Sequence, residues 1–277
     1  MATQGQVPPA PQPLPGVAHV IAVGSGKGGV GKTTVAVNLA VALGRLGYRV
    51  GLIDADIYGP NVPTMLGLTD QPSVDGVGNI QPLTAHGVKF ISVGSISPGD
   101  RPMVMRGPML HQIIRQFLQQ VEWGELDFLL IDLPPGTGDI VISLVQMVPL
   151  TGAVVVSTPS DVSLQDARKA IEMFRQVKVE VIGMVENMSH FTCPHCQQGI
   201  DIFSTGGAER TASEAGLDFL GALDLSPTIR SGGDQGQPVT LAGEDDPLAK
   251  PFFEAARRVA ARAKEIAASS EEILEIS

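Results

Sequence analysis

Cysteine is nearly absent from this chain of 277 residues, with only Cys193 and Cys196 present. Two thiols in a chain this long do not make a disulfide scaffold. Basic charge is in deficit: Lys and Arg total 19 against 29 Asp and Glu, giving a formal net charge of −10. An acidic chain repels nucleic-acid phosphates and anionic lipid surfaces, so no nucleic-acid and no membrane partner is expected. Long apolar runs are missing too, and none approaches the roughly 18 uninterrupted residues of a spanning helix. The start lacks the basic and apolar regions of a secretory signal. The expected compartment is therefore a reducing cytoplasm.

What the start does contain is proline, at Pro8, Pro9, Pro11, Pro13 and Pro15. That composition favours an extended, solvated segment. Residues 1–17 are therefore read as a proline-rich disordered tail. The whole chain is 43% apolar, enough to bury a large core.

From residue 18 onward, buried-strand candidates alternate with helical patterns. "HVIAVGS", "YRVGLIDAD", "FLLIDLPPG", "GAVVVSTPS" and "VEVIGMVENM" are continuous apolar runs that end in polar or turn residues. Strands covered on both faces read this way, because neither face meets water. "KTTVAVNLAVALGRLG" has apolar residues at helical spacing, with Gly47 as its stop signal. Ser160 is an N-cap for a helix from Asp161 to Val177. Residues 70–100 are turn-rich and predict a hairpin excursion. The last helix is predicted from about Pro247 to Ala268, followed by an acidic tail over residues 269–277. The fold class is α/β, a mostly parallel β-sheet flanked by helices on both faces, as one domain over residues 18–268. Ligands of such sheets bind beyond the carboxyl ends of the strands. Asp54, Asp56, Asp132 and Asn187 collect there.

"GSGKGGVGKT" fits two phosphate-binding patterns. Gly24, Gly26 and Gly29 spell the dinucleotide fingerprint, but Asp54 lies beyond the expected position of its ribose carboxylate. That reading also leaves Gly31, Lys32 and Thr33 unexplained. The P-loop pattern G-x-x-x-x-G-K-[ST] explains them. Backbone amides from Gly26 through Lys27, Gly28, Gly29, Val30 and Gly31 to Thr34 would cradle phosphate, at the positive end of a helix starting near Lys32. Lys32 reaches the β/γ phosphates and the Thr33 hydroxyl holds Mg²⁺. Asp132 ends the run "DFLLID", where a Walker B carboxylate would serve Mg²⁺; its alternative is a helix cap. Asp54 and Asp56 would serve Mg²⁺ or orient attacking water, or form a solvated turn. "PPGTGD" offers a glycine-rich loop able to move with the γ-phosphate.

"KGGVGKT", with Lys27 ahead of the glycines, resembles the deviant Walker A of the SIMIBI-class ATPases, the group of MinD, ParA and the nitrogenase iron protein. "DADIYGPN", "RGPM" from Arg106, "IDLPPGTGD", "ENMS" and "CPHC" follow in order. Together, over about residues 18–260, they resemble the Mrp/ApbC-type iron–sulfur cluster carrier ATPases. That resemblance implies a homodimer in which Lys27 reaches across to the partner's phosphates. It implies that Asp56 positions the hydrolytic water, that Asp54 lies near Mg²⁺ and that the Asn187 amide reads adenine. It also implies ATP and Mg²⁺ in each subunit, and apo iron–sulfur proteins as recipients.

A [4Fe–4S] cluster takes four thiolates, and one C-x-x-C supplies two. A twofold dimer supplies four, which places the cluster across the dimer on Cys193 and Cys196 of both chains. Zinc bridged by the same thiols, a redox dithiol and a buried inert pair are the alternatives, with His190 and His195 as further candidate ligands. The rival functions are a MinD/ParA-like positioning ATPase and a non-catalytic nucleotide-binding scaffold.

Overall fold

A computed structural model of the chain describes residues 11–57, 59–96, 107–136 and 138–276. The elements run β1 (Val17–Gly24), α1 (Lys32–Arg45), β2 (Val50–Asp54), α2 (Val62–Met65), β3 (Leu83–Ala85), β4 (Val88–Ser92), α3 (Val93–Ile96) and α4 (Gly107–Gln119). They continue β5 (Leu126–Asp132), α5 (Asp139–Met147), β6 (Gly152–Ser157), α6 (Asp161–Gln176), β7 (Val181–Asn187), β8 (Phe191–Thr192) and β9 (Gly199–Ile200). The last are α7 (Gly207–Glu214), β10 (Phe219–Leu223), α8 (Pro227–Asp234) and α9 (Lys250–Ile276).

Among the described residues the main sheet has the order β10-β7-β6-β1-β5-β2-β4-β3. Every pairing in it is parallel except the edge pair β3–β4. Strands β2, β6 and β7 are buried along their whole length, as their unbroken apolar runs require. One face of the sheet packs on α1 and α9, the other on α4, α5, α6 and α7. The chain winds from β1 to β2 on one side and later from β5 to β6 across β1. The strand order therefore switches at β1, which opens a crevice at its carboxyl end.

Local signals place the helix ends. Ser160 caps α6, its side chain accepting from the Ser163 amide. Gly47 follows α1 with φ +93°, a left-handed turn that suits glycine. The predicted hairpin forms as β3–β4, but it is no excursion: β4 joins the main sheet in parallel with β2. The last helix does not stop at Ala268; α9 runs on to Ile276, through most of the acidic segment. No Pro or Gly interrupts that stretch, and Ser269 and Ser270 bond back to the carbonyls of Glu265 and Ile266. At the other end, Leu14 is buried and the Gln12 amide donates to the Met147 carbonyl, so the described end of the proline-rich segment packs on the domain. Residues 1–10, Tyr58, Arg106 and Thr137 of the sequence motifs lie outside the described residues.

At the far end of β1, His19 stacks on Phe128 with ring centroids 5.2 Å apart. Its buried Nδ1 has no partner among the described residues. Burial, then the charge of Lys264, pushes the imidazole below its ordinary value; Asp127 opposes them. A depressed histidine pKa means the unfolded chain binds this proton first, so stability falls as pH drops below about 6.5. Denaturant unfolding across mildly acid pH is expected to show this slope in the parent chain and less of it in His19→Phe.

Candidate functional site

The loop Ser25–Gly31 joins β1 to α1 at the switch point. Gly29 and Gly31 hold φ of +80° and +77°, where a Cβ would strain the backbone and turn the amides away from the cavity. Gly31 is also the N-cap of α1, and no side chain caps that end. The helix amides and dipole therefore face the crevice, an arrangement that attracts an anion.

Two other loop glycines differ in what they permit. A Cβ on Gly26 would lie 2.1 Å from the Asp166 carbonyl carbon and oxygen, so the loop meets the backbone of α6 there. A Cβ on Gly28 would meet only Pro135, at an ordinary 3.8 Å. Gly26→Ala is therefore expected to cost about 1–3 kcal/mol, as overpacking does. Gly28→Ala is expected to leave stability near that of the parent. Unfolding of both variants without nucleotide checks the contrast.

Three carboxylates gather behind the loop. Lys32 Nζ donates to Asp132 Oδ1 at 2.6 Å and lies 3.8 Å from Asp56 Oδ2. Thr33 Oγ1 donates to Asp132 Oδ2 at 2.6 Å. Asp54 accepts from Ser92 Oγ at 2.8 Å and from the amides of Asp56 and Val62. Burial, reinforced by Asp132, pushes the Asp54 carboxyl up to about 7. Burial also raises Asp132, against the pull of Lys32. The Thr33 hydroxyl and the buried carboxylates of Asp54 and Asp132 are hard oxygen donors, which suits Mg²⁺.

Part of the sequence-predicted set comes together around one cavity of about 810 Å³, while Gly26, Asp54 and Asp132 are not among its lining residues. Residues 27–34, Asp56 and Asn187 line it. Lys27 is half-buried in this lining and has no ion-pair partner among the described residues. Asn187 Nδ2 donates to the Val30 carbonyl at 2.8 Å, so this amide pins the loop. Sequence reasoning missed the opposite wall: Met188, Phe191, Asp224, Leu225 and the start of α8. The Ser226–Pro227 pair marks a helix start, and Ser226 does cap α8. Nothing in the sequence order shows that this helix faces the P-loop.

The cysteines sit apart, on the β8–β9 hairpin. Cys193 is half-buried and Cys196 exposed. The Cys193 amide donates to the Gln198 carbonyl, and the Gln197 amide returns to the Cys193 carbonyl. Hydrogen bonding from the backbone of Cys196, then of His195, holds the Cys193 thiol below its ordinary value. Thiolate stabilised this way is the metal-binding form. His190 is engaged by Asp201 at 2.8 Å, and no cluster of three or more His, Cys, Asp or Glu able to hold a metal occurs among the described residues.

A glycine-rich loop between strand and helix, a lysine and threonine at the helix start and a strand-end aspartate define a P-loop NTPase. A family model described as ParA, NUBPL iron-transfer P-loop NTPase, matches residues 16–260, and the chain belongs to that family. It is 48% identical over 246 residues to the iron-sulfur cluster carrier protein of Aquifex aeolicus, covering 88% of this chain and 68% of that protein. Among solved structures it resembles the nucleotide-binding protein of Archaeoglobus fulgidus in complex with ADP, with a TM-score of 0.72 and 37% identity, covering 86% of this chain and 92% of that one. The cell division ATPase MinD of Pyrococcus furiosus shares the fold at 23% identity and a TM-score of 0.66, covering 87% of this chain and 98% of that one. No helix among the described residues is long and apolar enough to cross a membrane.

Proposed function

We propose that this chain is an ATP-hydrolysing iron–sulfur cluster carrier, which holds a [4Fe–4S] cluster between two copies of itself and transfers it to apoproteins. The observation that carries the reading is one strand end. Asn187, at the end of β7, reaches the P-loop, and the hairpin bearing Cys193 and Cys196 begins four residues further on, at Phe191.

In this reading ATP occupies the 810 Å³ cavity. Lys32 leaves Asp132 for the β/γ phosphates, since a multiply charged anion outcompetes one carboxylate. Thr33, Asp132 and Asp54 hold Mg²⁺, which offsets phosphate charge when bound. Asp56, within reach of Lys32, orients the attacking water. Lys27 supplies a cation to the partner's phosphates, where charge develops in the transition state. The Asn187 amide keeps one N–H on Val30 and offers its remaining N–H and its oxygen to adenine.

Each chain brings two thiolates, so the cluster sits on the dimer axis. Nucleotide changes its hold only through contacts that differ between the two states. The acidic run at the end of α9 is unlike the basic amphipathic helix of a membrane-targeted positioning ATPase.

Anaerobic reconstitution with iron and sulfide tests the reading. The expected result is a [4Fe–4S] Mössbauer signature with one cluster per dimer, passed on to an apo iron–sulfur protein. Stoichiometric zinc with no iron would replace the cluster by a structural metal. Tight ATP-dependent binding to liposomes or DNA would favour a positioning ATPase.

A further inference from the structure

Residues 188–206, between β7 and α7, carry both cysteines out from the sheet. Both ends of this excursion converge on one carboxylate. Glu186 is only 1% exposed. Its Oε1 accepts from Ser189 Oγ at 2.5 Å and from the Gly206 amide at 3.1 Å, and its Oε2 accepts from the Ala208 amide at 2.8 Å. Ser189 opens the excursion; Gly206 and Ala208 close it and begin α7. The N-cap of α7 is Gly206, which has no side chain of its own to offer, so Glu186 serves that helix end from the neighbouring strand. Bonds to a carboxylate are roughly twice as strong as neutral ones, which makes this a firm closure.

The next residue points the other way, as successive side chains on a strand do. Asn187 holds the Val30 carbonyl of the P-loop. One strand end thus grips the nucleotide loop with one side chain and the cysteine excursion with the preceding one. Two further backbone bonds keep the excursion's start against the far wall of the cavity, Ser189 to the Leu223 carbonyl and Leu225 to the His190 carbonyl. Glu186 itself is not among the residues that line the cavity.

We infer that Glu186 is a positioning residue that transmits nucleotide occupancy of the P-loop to the Cys193–Cys196 hairpin through the end of β7. The inference rests on the carrier reading for what the hairpin holds, but its test needs no cluster. Alkylation of Cys193 and Cys196 by a maleimide dye is measured on the full apo chain, with and without ADP or a non-hydrolysable ATP analogue. In the parent chain, nucleotide is expected to change the rate about fivefold or more, the lower range of coupling between sites.

Glu186→Gln places an amide N–H₂ where backbone donors need an acceptor. Its rate ratio with and without nucleotide is expected to fall to about one, with nucleotide affinity retained. Ser189→Ala removes only the entry-side donor; it is expected to fold and to reduce the ratio as well. A purely structural role would shift both rates together and leave their ratio intact. A parent-like ratio in folded Glu186→Gln or Ser189→Ala overturns the inference, as does a parent chain whose thiols ignore nucleotide. Coupled thiols in a chain that never accepts iron would sink the carrier reading and leave the coupling standing.

Discussion

Replacing Cys193 and Cys196 together by serine is expected to abolish cluster loading and transfer while nucleotide binding persists. The effect should be complete, because in the proposed dimer the substitution removes all four thiolates at once. Serine is nearly isosteric, but it offers a hard oxygen in place of a soft thiolate. It also forfeits the lowered thiol pKa of Cys193, which hydrogen bonding from the backbone of Cys196 and His195 favours. The hairpin is built on backbone bonds between Cys193, Gln197 and Gln198, which serine leaves in place, so loss of iron is not loss of fold. Iron and sulfide content after reconstitution, beside calorimetric ATP binding, reads both halves. Iron retained by the double variant would remove the cysteines from the mechanism.

Lys32→Met is expected to lower nucleotide turnover by roughly 10²–10³-fold, the scale of losing one preorganised charge-stabilising group. Methionine keeps most of the lysine stem, so packing changes little. The same variant should alter the pH dependence of stability without nucleotide. Lys32 is the cation bonded to Asp132, which is fully buried beside the fully buried Asp54. Breaking a buried pair by removing one partner costs about 3–5 kcal/mol when the remaining charge has no relief. Here there is relief, since both carboxyls already lie above their ordinary values.

The sign follows from linkage. An acid whose pKa is raised on folding binds its proton in the native state over a window where the unfolded chain has lost it. Stability therefore falls as pH rises across that window, from about 3.8 to about 7 for Asp54. Removing Lys32 raises Asp132 further, so the penalty of the substitution should grow from mildly acid to mildly alkaline pH. Denaturant unfolding of parent and Lys32→Met at both pH values measures it. An equal penalty at both would mean the lysine does not control the carboxylates.

Much of the site was legible because it is local. The run of β1, the glycines, Lys32 and Thr33 occupy one continuous stretch, and the backbone requirements of a phosphate loop leave few other readings. Asp54, Asp132 and Asn187 could be placed at strand ends because each closes an apolar run. The unread part is non-local. The wall formed by Phe191, Asp224, Leu225 and α8 reaches the P-loop only because β10 and β7 lie to one side of β1 in the sheet. The role of β4 was obscured for a similar reason: its short apolar run gives no sign that it pairs with β2. At α9, composition pointed to a tail, while unbroken helix-forming residues carried the helix onward.

By itself the sequence determined the alternation of strands and helices, the phosphate loop and the pair of thiols, since each depends on chemistry and spacing within a short segment. Only the tertiary structure decided that Lys32 rests on Asp132, that Asn187 fastens the loop at Val30 and that Glu186 fastens both ends of the cysteine excursion. Those bonds join segments whose distance along the chain says nothing about their distance in space. Strand order brings them together, and burial in a medium that cannot supply water makes each polar group find a partner there.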